Sequence, residues 1–96
     1  MSGLEQIKER APAVRSMAGR HGVRNIRIFG SVVRGEDGKD SEADLLVDMD
    51  DDRSLLDIVA VERELGKLLN RKVDVVVDGG VSPYLRDRIC AEAISL

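Results

Sequence analysis

Apolar residues recur at spacings of three and four through Leu4, Ile7, Ala11, Val14 and Ala18, the pattern of an amphipathic helix that closes at Gly19 to Gly22. Pro12 falls inside this stretch, so the helix should kink there or a second segment should begin. The period then shortens to two. Ile26, Ile28 and Phe29 end a strand over about 24–29, and a turn with a short helical start follows at 30–35. The run GEDGKDS, Gly35 to Ser41, is polar and contains glycine, which makes it a loop. Ala43, Leu45 and Val47 alternate with Glu42, Asp44 and Leu46, predicting a second strand over about 43–48. Ser54 with Asp57 three residues on resembles a capping box, opening a helix through about Leu69. Its expected inner face is Leu55, Ile58, Val59, Leu65, Leu68 and Leu69. A third strand spans about 72–77, with Val73, Val75 and Val77 toward the core, and Ser82-Pro83 starts a last helix. No repeat, low-complexity stretch or linker interrupts the pattern, so one domain over 1–96 is expected. The fold that fits is α/β, a small sheet with helices packed mainly on one face and the acids on the other; the pattern leaves strand direction open.

Three carboxylates carry the candidate chemistry. Residues two apart on a strand point the same way, so Glu42 and Asp44 project side by side, as two oxygen ligands of a hard divalent cation would. Asp74 interrupts VDVVV, and a carboxylate amid valines is expected to be costly to desolvate unless paired, protonated or metal-bound. If the third strand lies beside the second, Asp74 joins the other two acids in one cluster. Mg²⁺ is the natural neutraliser of such repulsion, and two ions about 3.5–4 Å apart would clamp both oxygens of a phosphoryl displacement. Upstream, Gly30 ends an apolar strand where a missing side chain lets backbone N–H groups approach an anion. Ser31 adds a hydroxyl donor there, and Arg34, one turn on, a guanidinium fork for phosphate oxygens.

Composition removes several alternatives. A formal charge of −3 and a pI near 5.1 argue against general nucleic-acid binding. The only aromatic residues are Phe29 and Tyr84, too few for a stacking platform on single strands. Cys90 has no internal disulfide partner and reads as a buried thiol in a reducing compartment. With no signal peptide and no apolar run of membrane-spanning length, the chain is expected to be soluble and cytoplasmic. Asp48, Asp50 and Asp52 match the start of an EF-hand loop, but Arg53 and Val59 replace its required glycine and glutamate. No P-loop is present, since Gly35 is followed by Glu36. His21, beside Gly22, is expected to cap a helix end, and Tyr84 to pack.

The run GSVVRGEDGKDSEADLLV, with VDVV and SPYLRDRI after it, resembles the signature of the minimal nucleotidyltransferases of the DNA polymerase β-like superfamily. Turn, loop length, acid spacing and third acid coincide, and the resemblance covers essentially the whole chain. It implies the polymerase β-like fold with a mixed sheet. It implies that Gly30 and Ser31 hold a nucleoside triphosphate, ATP above all, with Arg34 assisting. Glu42 and Asp44 would bind Mg²⁺, two ions in all, while Asp74 would complete the metal site or act as base toward the acceptor hydroxyl. The reaction implied is attack of that hydroxyl on the α-phosphorus with loss of pyrophosphate. Small stand-alone members are often antitoxins that adenylylate a partner HEPN-domain toxin.

One position departs from the family pattern. Glu42 stands where the family usually has aspartate, setting the carboxylate one methylene further out. Mg²⁺ tolerates little misplacement. The alternative to an active transferase is therefore a catalytically weakened antitoxin that neutralises its toxin by binding alone.

Overall fold

Pro12 ends the first helical stretch rather than bending it. In the computed structural model, which describes residues 3–36, 38 and 42–96, α1 runs Gly3–Glu9 and α2 runs Ala11–Gly19. Proline sits in the first turn of α2, where its missing N–H has no intrahelical partner to lose. The elements that follow are β1 (Val23–Phe29), α3 (Ser31–Arg34), β2 (Ala43–Met49), α4 (Leu55–Leu69), β3 (Val73–Val77), a 3₁₀ turn at Asp78–Gly80, α5 (Pro83–Glu92) and β4 (Ile94–Ser95). Apart from the 3₁₀ turn and β4, which the sequence pattern did not indicate, these agree with it to within a residue or two. The loop expected at 35–41 lies largely outside the described residues, which omit 37 and 39–41.

The sheet order is β3-β2-β1-β4. β1 pairs antiparallel with β2 and with β4, while β2 and β3 are parallel, giving the mixed sheet that the resemblance implies. Parallel neighbours need a crossover, and α4 supplies it. Its capping box forms as expected: the Ser54 N–H donates to Asp57 Oδ2 at 3.1 Å. That bond, with help from His21, holds the Asp57 carboxyl below its ordinary pKa.

Alternation sorts the strands into two faces. Ile26 and Ile28, Ala43, Leu45 and Val47, and Val73 and Val75 pack with Val14 and Ala18 of α2 and Val61 and Leu65 of α4. The opposite face carries Asp44, Leu46, Asp48, Asp74 and Arg27. There α5 covers part of the sheet, since Arg27 Nη1 lies 3.7 Å from Cys90 Sγ and Arg27 Nη2 donates to Asp78 at 3.2 Å. Leu46 is fully buried on that side.

Three expectations need correction. Leu55 and Val59 are not on the inner face of α4: they are 71% and 45% exposed, next to Leu56 at 78%. Val61, passed over by the pattern, is buried in their place. At 3.6 residues per turn Leu55 lies about 120° and Val59 about 160° around the helix from Val61, so the apolar stripe through 58, 61, 65 and 68 faces the core and these two residues do not. His21 closes the end of α2 as expected, its backbone N–H donating to the Ala18 carbonyl at 3.0 Å, and its ring also reaches α4 through Glu64 (2.7 Å) and Asp57 (3.6 Å). Tyr84 does not pack in the core but is 74% exposed, with the Arg88 guanidinium 5.9 Å from its ring centroid. Cys90 is half-buried beside Arg27 rather than sealed in the core. Among the described residues no helix is long and apolar enough to cross a membrane.

The correction on α4 has a measurable consequence. Leu65→Ala should cost about 2–5 kcal/mol in urea denaturation, because the side chain is enclosed. Leu56→Ser should change stability by no more than about 0.5 kcal/mol. Equal costs would place Leu56 in the core after all.

Candidate active site

Strand register gathers the acids. Phe29 is opposite Asp44 across β1 and β2, and Asp44 is level with Asp74 across β2 and β3. The turn after β1 and the two aspartates therefore form one row across three strands. Glu42 enters just before β2, where the Ala43 N–H donates to the Lys72 carbonyl at 2.9 Å and fixes the start of the strand. Glu42, Asp44 and Asp74 each bring a carboxylate oxygen within 4.8 Å of the others. The additional methylene of Glu42 does not take it out of the cluster. Its carboxylate also meets Lys72 Nζ at 3.1 Å, an exposed pair.

Asp74 joins the cluster for a reason other than the one its valine neighbours suggest. It is exposed, because strand alternation sends Val73 and Val75 inward and Asp74 outward. Its desolvation is therefore not the driving force for pairing. Asp44 is the group under strain: burial pushes its carboxyl pKa up, and the charges of Asp74 and Glu42 push it further. Like charges held this close fit a hard cation with oxygen ligands.

Gly30 lies against Asp44. Its φ of 85° and ψ of −154° belong to glycine, and a Cβ built there would overlap Asp44 Oδ2 and come within 3.3 Å of Cγ. Ser31 then opens α3, whose single turn is set by Val33 and Arg34 N–H bonds to the Gly30 carbonyl. Gly35 ends it in the left-handed conformation, and the Glu36 N–H returns to the Ser31 carbonyl at 2.9 Å. Arg34 does reach back over the turn, but its guanidinium is engaged. Nε donates to Glu36 Oε2 at 3.0 Å and Nη1 to both oxygens of Glu92 at 3.1 Å. Those two carboxylates, Glu36 first, raise the guanidinium pKa above its already high ordinary value.

Two residues that the sequence pattern passed over hold this region together. Glu92, in the last turn of α5, accepts the Gly30 N–H at 2.9 Å as well as the Arg34 fork. An acid at a helix C-terminus opposes the macrodipole, the one local sign that it is held from elsewhere. Glu62 on α4 accepts the Val75 N–H at 2.9 Å and covers an outward N–H of the edge strand β3.

The nucleotidyltransferase domain family matches residues 7–96. The chain is 40% identical over 77 residues to a candidate protein adenylyltransferase of Methanocaldococcus jannaschii, covering 80% of this chain and 83% of that one. It is 36% identical over 95 residues to the protein adenylyltransferase MntA of Thermococcus cleftensis, covering 98% and 96% of the two. A solved structure of a candidate minimal nucleotidyltransferase is 44% identical and superposes with a TM-score of 0.87 over 100% of this chain and 97% of that one. A toxin–antitoxin crystal structure with AMP-PNP shares the fold at 20% identity, with a TM-score of 0.71 over 86% of this chain and 69% of that one.

Proposed function

Because this chain belongs to the nucleotidyltransferase domain family, as one of its minimal members, we propose that it is a Mg²⁺-dependent protein adenylyltransferase that silences a partner toxin of the HEPN class. The single observation that carries this reading is the convergence of the Glu42, Asp44 and Asp74 carboxylates beside the Gly30-Ser31 turn. The names of the relatives support the choice of a protein acceptor and of ATP.

Each residue then has a role. The Gly30 backbone, the Ser31 hydroxyl and Arg34 receive the triphosphate. Glu42, Asp44 and Asp74 hold the divalent cation, which when bound offsets the negative charge that triphosphate and carboxylates would otherwise concentrate. Asp74 is exposed, so an acceptor hydroxyl can reach it from solvent. The acceptor oxygen forms a bond to the α-phosphorus, the bond from that phosphorus to the bridging oxygen breaks, and pyrophosphate leaves. The acceptor proton passes to a carboxylate of the cluster, with Asp74 the most accessible. In-line geometry is what the turn and the acids, held on adjacent strands, would impose.

The second reading, an antitoxin that acts by contact alone, draws on one observation: Glu42 replaces the usual aspartate and is paired with Lys72. Intact-mass measurement of the partner co-purified with the wild type and with Asp44→Ala separates the two. A partner heavier by one or more adenylyl groups with the wild type only is the expected result. An unmodified partner in both samples would favour contact inhibition. Glu42→Asp should leave the transfer rate unchanged or raise it, and a loss beyond about tenfold would mean the site has adapted to glutamate.

A further inference from the structure

Glu92 occupies a place that its own helix does not favour. It lies in the last turn of α5, where the macrodipole repels negative charge. The side chain nevertheless reaches across to the turn after β1, where Oε1 accepts the Gly30 N–H at 2.9 Å and both oxygens accept from Arg34 Nη1 at 3.1 Å. These are the donors that the proposed function gives to the triphosphate. A carboxylate is a smaller anion with the same requirement for charge-assisted donors.

We infer that Glu92 is an internal anion seated in the phosphate site, which keeps the Gly30 N–H and Arg34 arranged until an incoming triphosphate displaces it. The inference rests on the nucleotide-binding reading above. Displacement is sterically open, since the Glu92 side chain is 30% exposed and can swing away about its own bonds while α5 stays in place. It is also required. Glu92 left in position would hold a negative charge against the polyphosphate and keep Arg34 occupied. Its charge also adds to those acting on Asp44, so the Glu92 carboxylate and the acidic cluster flank the turn from two sides. Glu92 thus sets nucleotide affinity as a positioning residue, acting through Arg34 rather than on the reacting atoms.

The test is equilibrium binding of AMP-PNP, inorganic tripolyphosphate and adenosine to the wild type, Glu92→Gln, Glu92→Ala and Arg34→Ala, each checked for folding by its melting curve. Glu92→Gln keeps the shape but competes less for Arg34. Its Kd for AMP-PNP and for tripolyphosphate should fall about three- to tenfold, with no change toward adenosine. Glu92→Ala should show the same direction, and in turnover the gain should appear in the KM for ATP rather than in kcat. Unchanged or weaker binding of both phosphate ligands in the two Glu92 variants overturns the inference, as does an equal gain toward adenosine. If Arg34→Ala binds AMP-PNP as well as the wild type, the phosphate-site reading fails and this inference with it. If Arg34→Ala weakens binding while the Glu92 variants do not strengthen it, only the role given to Glu92 is lost.

Discussion

In the Asp44→Asn variant, nucleotidyl transfer should fall by about 10³-fold, while the ligand-free protein should melt at a higher temperature than the wild type. The first effect follows from removing the central charge of a preorganised site, a loss of the order seen when such electrostatic groups are deleted. The second follows from the direction of its pKa. Burial, then Asp74, then Glu42 raise the Asp44 carboxyl, so the folded protein binds that proton more tightly than the unfolded chain does. A group raised in this way favours the fold below its unfolded pKa and loses that contribution as pH rises through its folded pKa. At neutral pH the ionised carboxylate is therefore a burden, and the neutral amide removes it. A gain of about 1 kcal/mol would appear as roughly 4–8 °C in a domain of this size. Lowering the pH toward about 3.9, the ordinary aspartate value, should close the gap between variant and wild type. Melting curves at pH 7.5 and pH 4, with and without Mg²⁺, check both parts. Mg²⁺ should raise the wild type and leave Asp44→Asn nearly unmoved, because a ligand stabilises only the state it binds. A wild type that melts higher than the variant without metal would mean the acidic cluster is already compensated within the chain.

The elements that make this site were legible because they are local. Alternation around Ala43, Leu45 and Val47 assigns Asp44 to the open face, and the capping pair Ser54 and Asp57 fixes the start of α4 within the sequence itself. Asp74 could be placed in the cluster only by supposing β3 beside β2, and the parallel register bears that supposition out. What the pattern could not resolve were choices made by packing. The start of α4 carries apolar residues at 55, 56, 58, 59 and 61, enough for two overlapping stripes, and only contact with the sheet selects one of them. Glu92 and Glu62 were unreadable for a different reason. Each acts on a backbone N–H in another element, 62 and 13 residues away, and nothing near either residue announces its partner. The same holds for His21, whose bond to Glu64 spans 43 residues. Strand direction likewise depends on the crossover through α4, which alternation along single strands cannot express.

Gly30→Ala should be the most damaging change that alters no charge. Two costs add at this position. Its backbone, φ 85° with ψ −154°, lies in a region that a side chain makes unfavourable by about 1–3 kcal/mol. The new methyl would also overlap Asp44 Oδ2, forcing either the carboxylate or the turn to move. Moving the carboxylate by about 1 Å would take it out of register with Glu42 and Asp74, a displacement that can cost about 10²-fold in rate. Moving the turn would instead disturb the Gly30 N–H bond to Glu92 and the first turn of α3. A double-mutant cycle tells the two apart. If the methyl presses on Asp44, Gly30→Ala should cost less stability in the Asp44→Ala background than in the wild type, leaving only the backbone strain. Coupling between touching residues runs at about 0.5–3 kcal/mol, which urea denaturation resolves. Equal costs in both backgrounds would assign the whole effect to backbone strain, and the close approach of Gly30 to Asp44 would then carry no energetic weight. The expected coupling would explain why a glycine, rather than any other small residue, stands between the strand and the serine at this turn: the space its side chain would fill belongs to the carboxylate.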